Sequence, residues 1–248
     1  MEVIVTGRRF GGHRSLGALA FCGMNSTTTQ DVATAAPAAP AANSATTGDH
    51  LSISPSILYF GTPVALLTTE NPDGTPNLAP VSSAWALGHT LVLGLGAEGR
   101  TVANLAERPE LVVNLPSADL WAAVERLAPL TGADPVPAGK RGVYRHEADK
   151  FAAAGLHPLA SEAVGPPRVA ECPLQLEAVV RGITAAGPAS GFRIVECEVV
   201  RVHAAASVVV PGTQHIDPAA WNPLIYNFRH YFGLARPELG HGFRSQTA

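Results

Sequence analysis

The chain has 248 residues, with 17 basic against 20 acidic side chains and a formal net charge of −3. So balanced a charge offers no basic face for nucleic acid, and no apolar stretch reaches the ~18 residues that would cross a bilayer as a helix. Three scattered cysteines, Cys22, Cys172 and Cys197, form neither a CxxC pair nor a zinc-ligand spacing, and a reducing cytoplasm is the simplest compartment for them.

In chain order, the first fifty residues stand apart. From Thr27 to Asp49 the sequence is Ala, Thr, Ser and Pro with almost no large apolar side chain, too little to offset the entropy of ordering. Upstream, Arg8, Arg9 and Arg14 precede a short apolar run from Leu16 to Phe21, below the ~7–15 residues of a secretory core. Residues 1–50 are expected to be a disordered extension, with Met24 a candidate start, and residues 51–248 the folded domain. Pro63 to Thr69 reads as a β-branched apolar strand, and Asn71-Pro72-Asp73-Gly74 as the turn of a hairpin.

The returning segment, Leu78 to Ala86, reads as a strand broken by Pro80, which suits an edge or a kink. Thr90 to Leu95 is an almost continuous apolar run, expected to be a strand buried on both faces. The loop Gly96-Ala97-Glu98-Gly99-Arg100 then leads into a helix capped by Thr101, with Val102, Leu105 and Ala106 on one face and Pro109 as its stop. Open N–H groups, the helix dipole and the Arg100 guanidinium together suit a phosphate; the alternative is a tight strand-to-helix turn with a surface arginine.

Glu110 to Leu115 is a further strand. Ser117 is placed to cap a helix that Pro129 ends, and the Pro- and Gly-rich stretch after it reads as an ordered loop or lid. A short helix from near Glu147 closes at Gly155. Leu174 to Arg181 alternates, with Leu174, Leu176, Ala178 and Val180 facing the core and Gln175, Glu177 and Arg181 facing water. From Phe192 to His203 the apolar phase shifts after Val199, which predicts a β-bulge or a barrel bend. Cys172 and Cys197 are expected to be buried and inert. The C-terminal segment carries Trp221, Tyr226, Phe228, Tyr231 and Phe232. It reads as an arm packed on the barrel or on a second subunit, or else as a cover in which Tyr226, Arg229, His230 or Tyr231 meets a ligand.

The strings GTPNLAPVSSAWAL, LGLGAEGRTVANL, ELVVNLP and PPRVAECPLQLEA, in that order from about Ile57 to Gly240, resemble the flavin reductase-like family. The resemblance implies a mainly β fold with few helices, an antiparallel, Greek-key-like FMN-binding split β-barrel. Antiparallel strands and a shifting phase favour a barrel on their own account. By position, the resemblance sets Pro80, Val81, Ser82, Ser83 and Ala84 beside the flavin ring, and Leu95, Gly96, Arg100, Thr101 and Asn104 around its phosphate. It implies an FMN-dependent oxidoreductase using NADH or NADPH, a homodimer, and a partner oxygenase or other electron acceptor. An FMN electron carrier without pyridine nucleotide activity, or a binding module on the same barrel, are the alternatives. A GDHT-like segment that marks a nicotinamide site in two-component reductases has no clear copy here. Neither nucleophile-elbow nor HExxH strings occur, and no residue is assigned as catalytic or as a metal ligand.

Overall fold

The computed structural model describes residues 50–55, 57–187 and 191–234, and the compact folded unit is continuous from Ile57. Cys22, Met24, the extension before residue 50 and everything after residue 234 lie outside the described residues.

The first strands are β1 (Phe60–Pro63), β2 (Ala65–Glu70), β3 (Pro76–Val81), β4 (Ala84–Leu87) and β5 (Thr90–Gly96), followed by helix α1 (Arg100–Glu107) and β6 (Glu110–Leu115). Next come α2 (Trp121–Leu127), β7 (Leu130–Thr131), β8 (Arg145–His146), α3 (Lys150–Ala154), β9 (Pro158–Leu159) and β10 (Arg168–Val169). The long strands β11 (Leu174–Ala185) and β12 (Phe192–Ala204) precede β13 (Ile225–Asn227) and β14 (His230–Phe232). Seven strands form one sheet in the order β3-β2-β6-β11-β12-β5-β4, and every pairing in it is antiparallel.

The two edge strands of this sheet, β3 and β4, are joined by only Ser82 and Ser83. Gly94 of β5 donates its N–H to the Ser83 carbonyl at 2.7 Å, so the sheet closes on itself at that corner. Because β3 and β4 do not pair, the barrel is shut at one corner and split along the rest. Close approach there requires a residue without a side chain, since a Cβ on Gly94 would stand 3.0 Å from Ser83 Cβ.

The expected break at Pro80 is therefore misplaced. Pro80 sits within β3 opposite Leu66, tolerated because its missing N–H falls on an edge, and the interruption comes at Ser82–Ser83. The double-sided burial expected of Thr90–Leu95 belongs instead to β2. Ala65 and Leu67 enter an inner cluster with Leu91, Leu93, Leu95, Val113 and Val195, while Val64 and Leu66 join an outer cluster with Val124, Leu127 and Phe151 of α2 and α3. Along β5, Leu91, Leu93 and Leu95 are buried and Val92 only partly so, the alternation of a strand covered on one face.

In β12, Val200 is the extra residue between Arg201, opposite Glu177, and Val199, opposite Ala178. The predicted bulge is thus present, although Val200 and Val202 beyond it are exposed rather than core. Gln175 and Glu177 are not on a wet face. The segment 160–172 folds over them, its first part on Glu177 and its last on Gln175, and both are buried. Glu177, wholly inaccessible, accepts N–H groups from Glu162 (2.9 Å), Ala163 (2.5 Å) and Val164 (3.1 Å), and its Oε1 lies 2.6 Å from His203 Nε2.

The C-terminal arm packs on its own barrel: β13 pairs with β1, and Tyr226 is a core residue touching the Tyr59 and Tyr231 rings edge-on or tilted. Phe228 and Arg229 turn the β13–β14 hairpin with φ of 43° and 71°. The Tyr231 hydroxyl donates to the Glu125 carboxylate at 2.8 Å, and His230 is exposed. Burial and that carboxylate push the Tyr231 phenol above its ordinary range, and burial does the same for Tyr226. Cys172 and Cys197 are buried free thiols, and burial pushes Cys197 up to about 12, so neither carries a thiolate near neutrality. No helix among the described residues is long and apolar enough to cross a membrane, and no cluster of His, Cys, Asp and Glu among them is arranged to hold a metal.

Candidate functional site

Two parts of the chain meet at the open corner. The first is the end of β3, the Ser82–Ser83 link and the start of β4. The second is the strand-to-helix turn from β5 into α1. Sequence position alone brings Leu95, Gly96 and Arg100 to the second; the Gly94–Ser83 bond brings it against the first.

At the link, Val81 is buried in the inner cluster and Ala84 packs against it half-buried. Ser82 is 3% exposed, and its Oγ has no hydrogen-bond partner among the described residues. A buried hydroxyl without a partner costs about 1–3 kcal/mol, and Thr62 Oγ1 is in the same position. Ser83 Oγ lies 3.5 Å from the Tyr59 hydroxyl.

The helix start differs from expectation in one respect. Gly99, in extended conformation, is the N-cap of α1, and no side chain caps it. Thr101 lies one residue inside the helix, and its hydroxyl instead accepts from Asn77 Nδ2 at 3.2 Å. Asn77 Nδ2 also donates to Thr69 Oγ1, as does Asn104 Nδ2 at 3.0 Å, so Thr101 and Asn104 are buried and turned toward β2 and β3. They pin the helix to the barrel while Val102 and Leu105 fill the inner cluster; Ala106, expected beside them, is exposed.

Arg100 is the first helical residue. Its Nε donates to Gly132 O at 2.9 Å, tying it to the segment after β7 that the sequence read as a loop or lid. That segment is an ordered wall. Helix α3 is capped by Asp149, which accepts the Ala152 N–H at 3.0 Å, and closed by Gly155 at φ 65°. Ser117, by contrast, starts a 3-10 turn and hydrogen-bonds the Asp119 carboxylate rather than capping the backbone.

Between the wall and α1 lies a small cavity of about 20 Å³ lined by Pro80, Arg100, Thr101, Lys140, Tyr144 and Lys150 among others. Lys150 is 4% exposed, and its Nζ donates to Asn77 Oδ1 at 3.0 Å. A larger cavity of about 360 Å³ shares Arg100 and Gly132 with it, is lined as well by Asn77, and is rimmed by Asp73, Asp134, His146 and Glu147. The Thr75 hydroxyl and N–H, with Arg100 a lesser influence, hold the Asp73 carboxyl below its ordinary value. Lys140 and Lys150 escaped the sequence reading because they are 40 and 50 residues from Arg100, in a stretch whose only visible signal was its prolines and glycines.

A seven-stranded antiparallel barrel, closed at one corner and plugged by a helix that starts beside the opening, is a split barrel. The model of the flavin reductase like domain matches residues 57–235, and the chain belongs to that family. The uncharacterized protein YdfE of Bacillus subtilis is 47% identical over 196 residues, covering 79% of this chain and 94% of its own. Among solved structures, the chain resembles flavoredoxin of Desulfovibrio vulgaris (Miyazaki F), with TM-score 0.66, 20% identity and 79% and 99% of the two chains covered. It also resembles nitrilotriacetate monooxygenase component B from Bacillus cereus, with TM-score 0.62, 20% identity and 77% and 99% covered.

Proposed function

We propose that the protein is an FMN-dependent oxidoreductase that takes electrons from NADH or NADPH and passes them to flavin or to a partner such as an oxygenase. The observation that carries the reading is the buried Ser82 hydroxyl without a partner at the split corner, next to the basic turn into α1. The residues fit the cofactor. Pro80, Val81, Ser82, Ser83 and Ala84 offer a ring an apolar edge and hydroxyls. Gly96 and Arg100 offer a phosphate the dipole end of a helix and a guanidinium. Leu95 backs the turn from the inner cluster, and Thr101 and Asn104 act by fixing α1. When bound, flavin supplies the hydride and electron chemistry, and the protein's part is to hold it and keep one face open.

The membership of the flavin reductase-like family supports this reading, as does the likeness in fold to a monooxygenase component and to a flavoredoxin. The test is spectroscopic and kinetic. The purified chain should take up FMN, shifting its visible absorbance, and should oxidise NADH or NADPH with flavin present. Flavin uptake with no nucleotide oxidation would make it an electron carrier. A colourless protein that leaves the FMN spectrum unchanged would reduce it to a binding module on the same barrel.

The working unit in this reading is a cytoplasmic homodimer of residues 51–248, with residues 1–50 a dispensable extension. Exposed apolar side chains on the β4 edge, Trp85 and Leu87, and on β12, Val200 and Val202, support a subunit contact.

A further inference from the structure

Three of the chain's four tyrosines, Tyr59, Tyr226 and Tyr231, stand in line with Trp121. Ring centroids are 5.5 Å apart from Tyr59 to Tyr226, 5.4 Å from Tyr226 to Tyr231 and 6.4 Å from Tyr231 to Trp121, so each ring touches the next. One end of the line is the split corner, where the Tyr59 hydroxyl lies 3.5 Å from Ser83 Oγ. The other end is open to water, because Trp121 is 52% exposed. Two further features go beyond packing. The Tyr231 hydroxyl donates to Glu125 Oε2 at 2.8 Å, and Glu125 is itself exposed, so the phenolic proton has an acceptor that leads to solvent. Methionine occurs only at positions 1 and 24, so residues 57–234 hold no thioether to absorb an oxidising equivalent, and both their thiols, Cys172 and Cys197, are buried.

We infer that Tyr59, Tyr226, Tyr231 and Trp121 form an electron relay that drains an oxidising equivalent from the split corner to the surface, with Glu125 taking the proton. The inference rests on the flavin reading for the source of the oxidant, a photo-excited flavin at the corner, but not for the relay, which is a property of the rings. Tyr59 gives one electron to that oxidant, and the loss is made good by one electron from Tyr231 through the ring of Tyr226. As Tyr231 is oxidised, its phenolic proton passes along the hydrogen bond to Glu125, which leaves a neutral phenoxyl radical on Tyr231. The sum is one electron to the oxidant and one proton to the carboxylate. A dissolved enediol reductant such as ascorbate, itself oxidised by one electron, then returns an electron at the exposed Trp121 end, and Glu125 gives the proton back. Tyr226, 2% exposed in the core, serves as a bridge and keeps its own proton. Oxidation is thereby steered away from the residues at the corner and onto a side chain that solution reductants can reach.

The first arm of the test needs no flavin. Azidyl radicals made by pulse radiolysis take one electron from exposed indoles of the full chain, and transient absorption follows the indolyl signal as it gives way to a tyrosyl one. Wild type should show this transfer at a rate independent of protein concentration. Trp121→Phe and Tyr231→Phe should each remove most of that phase, and Glu125→Gln should slow it because the phenolic proton loses its acceptor, with Glu125→Asp recovering part of the rate. Should Tyr231→Phe fail to fold, Trp121→Phe and Glu125→Gln, both at exposed positions, carry the same comparison. The second arm illuminates the chain with FMN bound and locates a spin-trap adduct by mass spectrometry. The adduct should form on Tyr231 in wild type and be lost in Tyr59→Phe. A concentration-independent phase that survives in both Trp121→Phe and Tyr231→Phe overturns the relay, whatever binds at the corner. An adduct on Tyr231 that persists in Tyr59→Phe overturns its link to the corner. The expected behaviour in the first arm from a chain that takes up no FMN upholds the relay and removes the flavin.

Discussion

Arg100 is anchored through Nε to Gly132 O, so its guanidinium is held in place before any ligand binds. Pre-ordering spares a bound anion the entropy of fixing a long side chain. Arg100→Ala should therefore weaken FMN by about 1.5–3 kcal/mol and leave riboflavin within a few tenths, measured by titrating both ligands. Equal losses would remove the phosphate from Arg100. Gly132 is the stricter residue. A Cβ there would lie 2.4 Å from Asn77 Oδ1 and 3.2 Å from Arg100 Cγ. Asn77 cannot step aside cheaply, because its amide is bonded to Thr69, Thr101 and Lys150. Gly132→Ala should lower the melting temperature and weaken FMN together, whereas Gly142→Ala nearby, with open space around its Cβ position but φ 81°, should cost stability alone.

At the scale of elements, period and turn chemistry were legible wherever local physics decides. The hairpin turn at 71–74, the limits of β6 and the stop at Gly155 could all be read from side-chain types. Where a distant segment decides, they could not. Gln175 and Glu177 alternate with apolar neighbours as a wet face should, and nothing local announces that the 160–172 segment covers them. The Ser82–Ser83 link, proposed to face the ligand, was reached only through family resemblance, and Lys150 not at all. Glu177 is also where acidity should act. Burial alone would raise its carboxyl, but the N–H groups of Glu162 and Ala163, and then His203, hold it below the ordinary value. A folded value below the unfolded one, near 4.3, gives stability that is full above the unfolded value and lost as pH falls through the folded one. Urea unfolding should find Glu177→Gln about 1.5–3 kcal/mol less stable at neutral pH, with the gap to wild type closing below about pH 4. A gap that persists unchanged into acid would mean the carboxylate's charge is not what holds the segment.

For the whole molecule, the dimer proposal is decided on the surface rather than in the arm. Leu224 and Tyr226 belong to the core, so cutting away residues 221–248 would damage the fold and say little about association. Trp85 and Leu87, 57% and 75% exposed, can be changed without opening the core. Trp85→Lys with Leu87→Lys should give a monomer by light scattering with its melting curve still cooperative. A double variant that stays dimeric would put the subunit contact elsewhere, and a wild type of monomer mass would end the proposal.

A barrel that shuts at one corner leaves two strand edges unpaired within its sheet, and an unpaired edge that becomes uncovered is a template on which further chains can polymerise. The two edges are not equally dangerous. On β3, Pro80, the last residue but one, withholds a donor, so an incoming strand finds its ladder interrupted there. Pro80→Val would restore that donor and add a β-branched side chain to the strand. Light scattering and thioflavin fluorescence on gentle heating should then show earlier and faster aggregation than wild type, although the folded protein at low temperature is no less stable. A proline that looks at first like a fault in the strand thus serves as a guard against fibres.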